Sequence, residues 1–132
     1  MSGLRRLLFL WLLICFHPFL SGCREADKPP PDIVIVHEIT PQPVKAGPAT
    51  ITLRLSDSGG TPCNGAEVRL EGNMSHPGMR PIFSEAREVG PGRYEAPIEI
   101  TMGGDWIIIV HITLPEGRKL QHQFEIKGVQ SE

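Results

Sequence analysis

The sequence carries none of the short signatures that announce an enzyme. Its 132 residues contain no Gly-x-Ser-x-Gly elbow, no Cys-x-x-Cys pair, no His-Glu-x-x-His zinc motif and no glycine loop for a phosphate. The carboxylates fall on alternate positions of strand-like runs, where a solvated surface explains them. A non-enzymatic role follows. A basic excess is lacking as well: 13 Lys and Arg stand against 15 Asp and Glu, a net charge of −2. That excludes the cationic field by which proteins hold nucleic acid. Stretches long enough for helices are missing too, because 14 glycines and 13 prolines punctuate the chain. Such punctuation suits short strands joined by tight turns, and the length suits one domain.

The single long apolar run, Leu7 to Phe16, lies behind Arg5 and Arg6 and is too short to read as a membrane-spanning helix. Its flanks are those of a secretory signal, closed by Leu20-Ser21-Gly22-Cys23. That tetrapeptide resembles the lipobox of bacterial lipoproteins, which implies a signal peptide over residues 1–22. It also implies lipidation of Cys23, with palmitate-type acyl chains holding the protein to a membrane. One chain binds a membrane only marginally, so a stable anchor needs more than one. Processing would remove Cys15 and convert Cys23 to a thioether. Cys63 would then be the only free thiol in a mature chain of 110 residues, with no intramolecular disulfide open to it. Cleavage also removes Arg5 and Arg6, leaving 11 basic against 15 acidic residues and a net charge of −4. The expected location is the extracytoplasmic side of the cell envelope or periplasm. Arg24 replaces the aspartate that favours inner-membrane retention, which points to the outer membrane where the host has one.

Residues 23–32 form a proline-stiffened tether, Cys23 followed by Arg-Glu-Ala-Asp-Lys-Pro-Pro-Pro-Asp. From residue 33 to about 128 the period is two. Ile33–Ile39, Ile51–Leu55, Val68–Leu70, Ile82–Val89, Tyr94–Ile100, Trp106–Ile112 and Leu120–Ile126 read as seven strands. The Trp106–Ile112 run is apolar on both faces and belongs at the centre of a sheet. Pro97 points to an edge or a bulge. Gly59-Gly60, Asn64-Gly65, Gly90-Pro91-Gly92, Gly103-Gly104 and Pro115-Glu116-Gly117 supply the turns. The expectation is an all-β, immunoglobulin-like sandwich of about seven strands, with a small barrel as the competing architecture.

The segment from Gly72 to Pro81 stands out, placing Met74, His76 and Met79 around a Pro77-Gly78 bend. Strand alternation would put Met74 and His76 on one side, and the bend would return Met79 towards them. Thioether sulfur is soft and imidazole borderline, a set suited to Cu(I) and poor for magnesium or calcium. The same methionines also read as flexible filler at a sandwich end, with His76 bonded to a loop carbonyl. His37, His111 and His122 read as structural histidines, Cys63 as a buried thiol and Trp106 as the core aromatic. Met102 either approaches the Met-His loop or plugs the sandwich end.

Gly65-Ala66-x-Val68-x-Leu70, Met74-x-His76-x-Gly78-Met79-x-Pro81, Gly92-x-Tyr94-x-Ala96 and Met102-x-Gly104-x-Trp106 follow one another in this order. The series resembles the YtkA-like domain, related to the FixH family. The resemblance implies a small envelope sandwich, and FixH-like members are associated with copper supply to respiratory oxidases. It carries over to Met74, His76 and Met79 as copper ligands. This chain has a lipobox where FixH has a membrane helix. Two readings therefore stand: a lipid-anchored protein that binds or delivers copper, or a non-metal accessory module docking an envelope transporter or secretion complex.

Overall fold

A computed structural model describes residues 32–131. The expected signal peptide, Cys23 and nearly all of the expected tether lie outside them. The chain folds into eight strands: β1 (Ile33–Thr40), β2 (Gly47–Asp57), β3 (Glu67–Met74), β4 (Ile82–Glu85), β5 (Arg87–Gly90), β6 (Arg93–Ile100), β7 (Gly104–Thr113) and β8 (Lys119–Val129). Two four-stranded antiparallel sheets, β1-β2-β6-β5 and β4-β3-β7-β8, enclose the core between them. This is the immunoglobulin-type arrangement, in which the chain crosses repeatedly between the sheets.

The strand count exceeds the sequence expectation by one because the Ile82–Val89 run is two strands. Ala86 is the break. Ile82–Glu85 pairs with β3, whereas Arg87–Gly90 pairs with β6 in the opposite sheet. The Ala86 N–H still donates to the Val68 carbonyl at 2.9 Å as the chain leaves the second sheet.

Alternation drives the burial as the pattern requires. On β2, Ile51, Leu53 and Leu55 are buried; on β6, Tyr94, Ala96, Ile98 and Ile100; on β7, Trp106, Ile108, Val110 and Ile112. No charged or polar residue is buried among the described ones. At about 25 cal/mol per Å² of apolar surface, such a core supplies the main favourable term in folding. β7 is central as expected, between β3 and β8. Its second apolar row, Ile107 and Ile109, is only half-buried, since it faces outward beside Glu71, Asn73, Gln123 and Glu125. Pro97 sits on an interior strand, but β5 pairs only as far as Glu95, so Pro97 faces no ladder on that side. The Pro97 carbonyl instead accepts the Ser84 hydroxyl of β4.

The Tyr94 side chain of β6 and the backbone of the turn before it pin the crossover from β2 to β3. The Tyr94 hydroxyl donates to the Cys63 carbonyl at 2.8 Å and accepts the Ala66 N–H at 3.0 Å. Asn64 Oδ1 accepts the Gly92 N–H at 2.7 Å. Gly92 has a φ of 62°, and a Cβ there would stand 2.5 Å from the Leu55 carbonyl oxygen, so only glycine fits.

Candidate functional site

The loops β3–β4 and β6–β7 lie at the same end of the sandwich, because Met74 closes β3 opposite Trp106 at the start of β7. The methionines Met74, Met79 and Met102 all belong to this end. Met74 is the last residue of its strand, half-buried and packed against the core. Its methyl group lies beside Gly104, where an added Cβ would come within 3.1 Å of it. A glycine at this position leaves room for the thioether.

Beyond Met74 the strand stops and the chain bends, so alternation does not extend to His76. The Ser75 N–H donates to the Asp105 carbonyl at 3.3 Å, tying the start of the loop to β7. The expected turn is present at Pro77-Gly78, with Gly78 at a φ of 83°. A side chain would be strained there, which is why glycine holds the position. His76 is exposed and Met79 is 38% exposed, so both present donor atoms to solvent. The core thus fixes Met74, while His76 and Met79 ride on the loop.

Met102 is also exposed, and its carbonyl accepts the Trp106 indole N–H at 3.1 Å. That bond satisfies the polar edge of a ring otherwise fully buried. It also holds the β6–β7 turn against the base of the Met-His loop. Chemically, the residues singled out at this end offer thioethers and one imidazole, a donor set for a soft monovalent ion, and the neighbouring Asp105 carboxylate accepts the Gly128 N–H. Among the described residues, no three His, Cys, Asp or Glu side chains converge to hold a metal.

The remaining candidates separate. Cys63 is half-buried, and burial together with nearby Asp57 and Glu116 holds its thiol above the ordinary range. Its carbonyl is committed to Tyr94, and it stands at the opposite end of the sandwich from the methionines. His111 is partnered, with Nε2 at 3.1 Å from Glu71 Oε2. The Asn73 amide and His111 hold the Glu71 carboxyl below its usual range. His37 and His122 share a site of their own. The His37 ring stacks on Phe124 with centroids 3.7 Å apart and planes within 10°, and His122 lies 5.8 Å from His37. Sequence reasoning passed over this pair. The available signal was the alternation itself: His37, though exposed, falls in register with Ile33, Ile35 and Ile39, and half-buried His122 with Leu120 and Phe124.

Among solved structures, similar folds include the soluble domain of PmoD from Methylocystis sp. ATCC 49242 (Rockwell), with a TM-score of 0.48 and 13% identity. That match covers 74% of this chain and 90% of the PmoD domain. Another is a superoxide reductase (neelaredoxin) from Ignicoccus hospitalis, with a TM-score of 0.47 and 10% identity over 73% of this chain and 79% of that one. No curated protein gives a significant match. The family model described as YtkA-like matches residues 32–111, more than half of the chain and the span that carries the Met-His loop. The chain belongs to the YtkA-like family.

Proposed function

We propose that this protein is a lipid-anchored envelope protein that binds or delivers Cu(I) through its Met-His loop, and that it acts by binding rather than catalysis. The observation that carries the reading is the clustering of soft donors at one end. Met74 is half-buried against the core, His76 and Met79 stand exposed across the Pro77-Gly78 turn, and Met102 lies in the neighbouring turn. An exposed loop with one rooted ligand suits a carrier, which must take up an ion and surrender it. Thioethers need no deprotonation, so such a site keeps its affinity in an acidic or oxidising envelope where thiolates fail. The lipobox and tether would keep the loop close to membrane partners.

The test is a competition titration of the full chain against a chromogenic Cu(I) chelator. Wild type should take one equivalent at the loop, and zinc should compete poorly because it prefers nitrogen and thiolate donors. The double change Met74→Leu with Met79→Leu conserves volume, costing less than about 1.5 kcal/mol per site. It should abolish copper retention at the loop. Unchanged retention by the double variant would make the sulfurs packing atoms.

A second reading, the docking module, has its own observation. Phe83 is 64% exposed on the edge strand β4, and Val34 and Val36 are exposed on the edge strand β1. Apolar side chains on free sheet edges suit strand addition by a partner.

A further inference from the structure

The open flank of the sandwich lies between the edge strands β1 and β8, which belong to different sheets. Along most of this flank the inward positions are aliphatic or aromatic: Ile33, Ile39, Leu120, Phe124 and Ile126 are buried. His37 and His122 interrupt the row. Their rings are 5.8 Å apart with planes inclined at 47°. His122 Nε2 is buried and has no hydrogen-bond partner. Leaving a buried ring nitrogen unpaired costs free energy that a hydrophobic residue at the same place would avoid. His122 Nε2 therefore calls for a partner that packing does not supply.

We propose that His37 and His122 form a second metal site, distinct from the Met-His loop, that takes Cu(I) between two imidazoles. A metal–imidazole bond of about 2.0 Å puts each ring centre roughly 3 Å from the ion, so two rings on one ion stand roughly 5–6.5 Å apart. The observed separation falls in that interval. His122 Nε2 is the nitrogen that gains a partner. Phe124 holds the His37 ring flat by stacking, and Leu120 and Phe124 flank His122 on its own strand. His37 lines a groove of about 220 Å³ with Ile39, Gln42, Val44 and Phe124, and His122 does not reach it.

Burial lowers the proton affinity of both imidazoles, His122 further through the nearby His37, so each keeps a free lone pair at neutral pH. The charged groups lining the groove, Glu125 and Lys127, are paired with each other at 3.2 Å. Glu38 is exposed on the outward face of β1. His37 is exposed and His122 half-buried. Zinc would want three or four protein ligands, against the two imidazoles here. Cu(I) carries one charge and accepts two nitrogens. His122 lies beyond the family match at residues 32–111.

The experiment uses the full chain in detergent with 15N-labelled histidine, on the Met74→Leu/Met79→Leu background so that the loop is silent. Cu(I) is diamagnetic, and its addition should move the imidazole nitrogen resonances of His37 and His122 together, with His76 and His111 unmoved. Zinc at the same concentration should leave all four in place. His37→Gln and, separately, His122→Phe should each abolish the response, and the phenol titration of Tyr94 serves as the check that each variant is folded. His37 is the more exposed of the two, so its variant reads the site even where His122→Phe disturbs the core. Resonances of His37 and His122 that stay fixed at saturating Cu(I) overturn the site. Movement of His76 alone overturns it as well. Because the loop sulfurs are absent throughout, failure here leaves the Met-His loop reading to its own titration.

Discussion

The Tyr94 hydroxyl reaches out of the sandwich core to donate to the Cys63 carbonyl at 2.8 Å, joining two residues 31 apart in the chain. It accepts the Ala66 N–H as well, so one phenol closes both backbone groups of the crossover between the sheets. Burial raises its pKa above the ordinary value of 10.0. The folded state therefore favours the neutral phenol. Its stabilisation is fully present below pH 10 and is lost as pH rises through and beyond that value. Tyr94 is the single tyrosine of the chain, so ultraviolet titration reads it alone. The phenolate band should appear later than in the unfolded protein, and a midpoint at or below the unfolded one would contradict the burial.

Tyr94→Phe keeps the ring and removes the bonds. It should cost about 1–3 kcal/mol in denaturant unfolding, since a carbonyl and an N–H are left without their partner. A loss near zero would mean that water replaces the hydroxyl freely.

Trp106 is 1% exposed and spans the core beneath the Met end. Trp106→Ala should cost about 3–5 kcal/mol. It also frees the Met102 carbonyl, so the β6–β7 turn should exchange its amide hydrogens faster. A cost below about 1 kcal/mol would put the ring outside the core.

Gly92→Ala forces a Cβ to within 2.5 Å of the Leu55 carbonyl at a φ of 62°. Backbone on that side cannot yield as a side chain can, so the cost should exceed the roughly 1–2 kcal/mol of left-handed strain alone. Gly117→Ala, also at positive φ but with nothing within 4 Å, isolates the strain as a control. Equal losses at the two positions would show that the close approach to Leu55 contributes nothing.

The anchor is tested at Cys23. Labelled palmitate supplied to cells should enter the protein, and Cys23→Ala should abolish the label. Equal labelling of the variant would refute lipidation at this residue.

Sequence alternation made six of the strands legible because it depends only on neighbours within one strand. Ile51, Leu53 and Leu55 must share a face whatever strand they pair with. The turn at Pro77-Gly78 was legible for the same local reason: proline limits its own φ, and glycine accepts the left-handed conformation found there. The lone phenol and the Trp106 indole were legible as core candidates, but not the carbonyls of Cys63 and Met102 that satisfy their polar edges.

What the local pattern could not decide is which strands share a sheet. The run from Ile82 to Val89 has no turn residue at Ala86, and it divides because its halves find different partners, β3 and β6. Strand alternation also failed to carry past Met74, since the ladder opposite β3 ends at Trp106 and leaves His76 unpaired with β7. The meeting of His37 with His122 is of the same kind. Each residue's place in the alternation can be read from its own strand, but only the closing of two sheets brings their free edges, 85 residues apart in the chain, to within one ion's reach. Local chemistry determined the strands and turns of this protein; long-range pairing decided which side chains became neighbours.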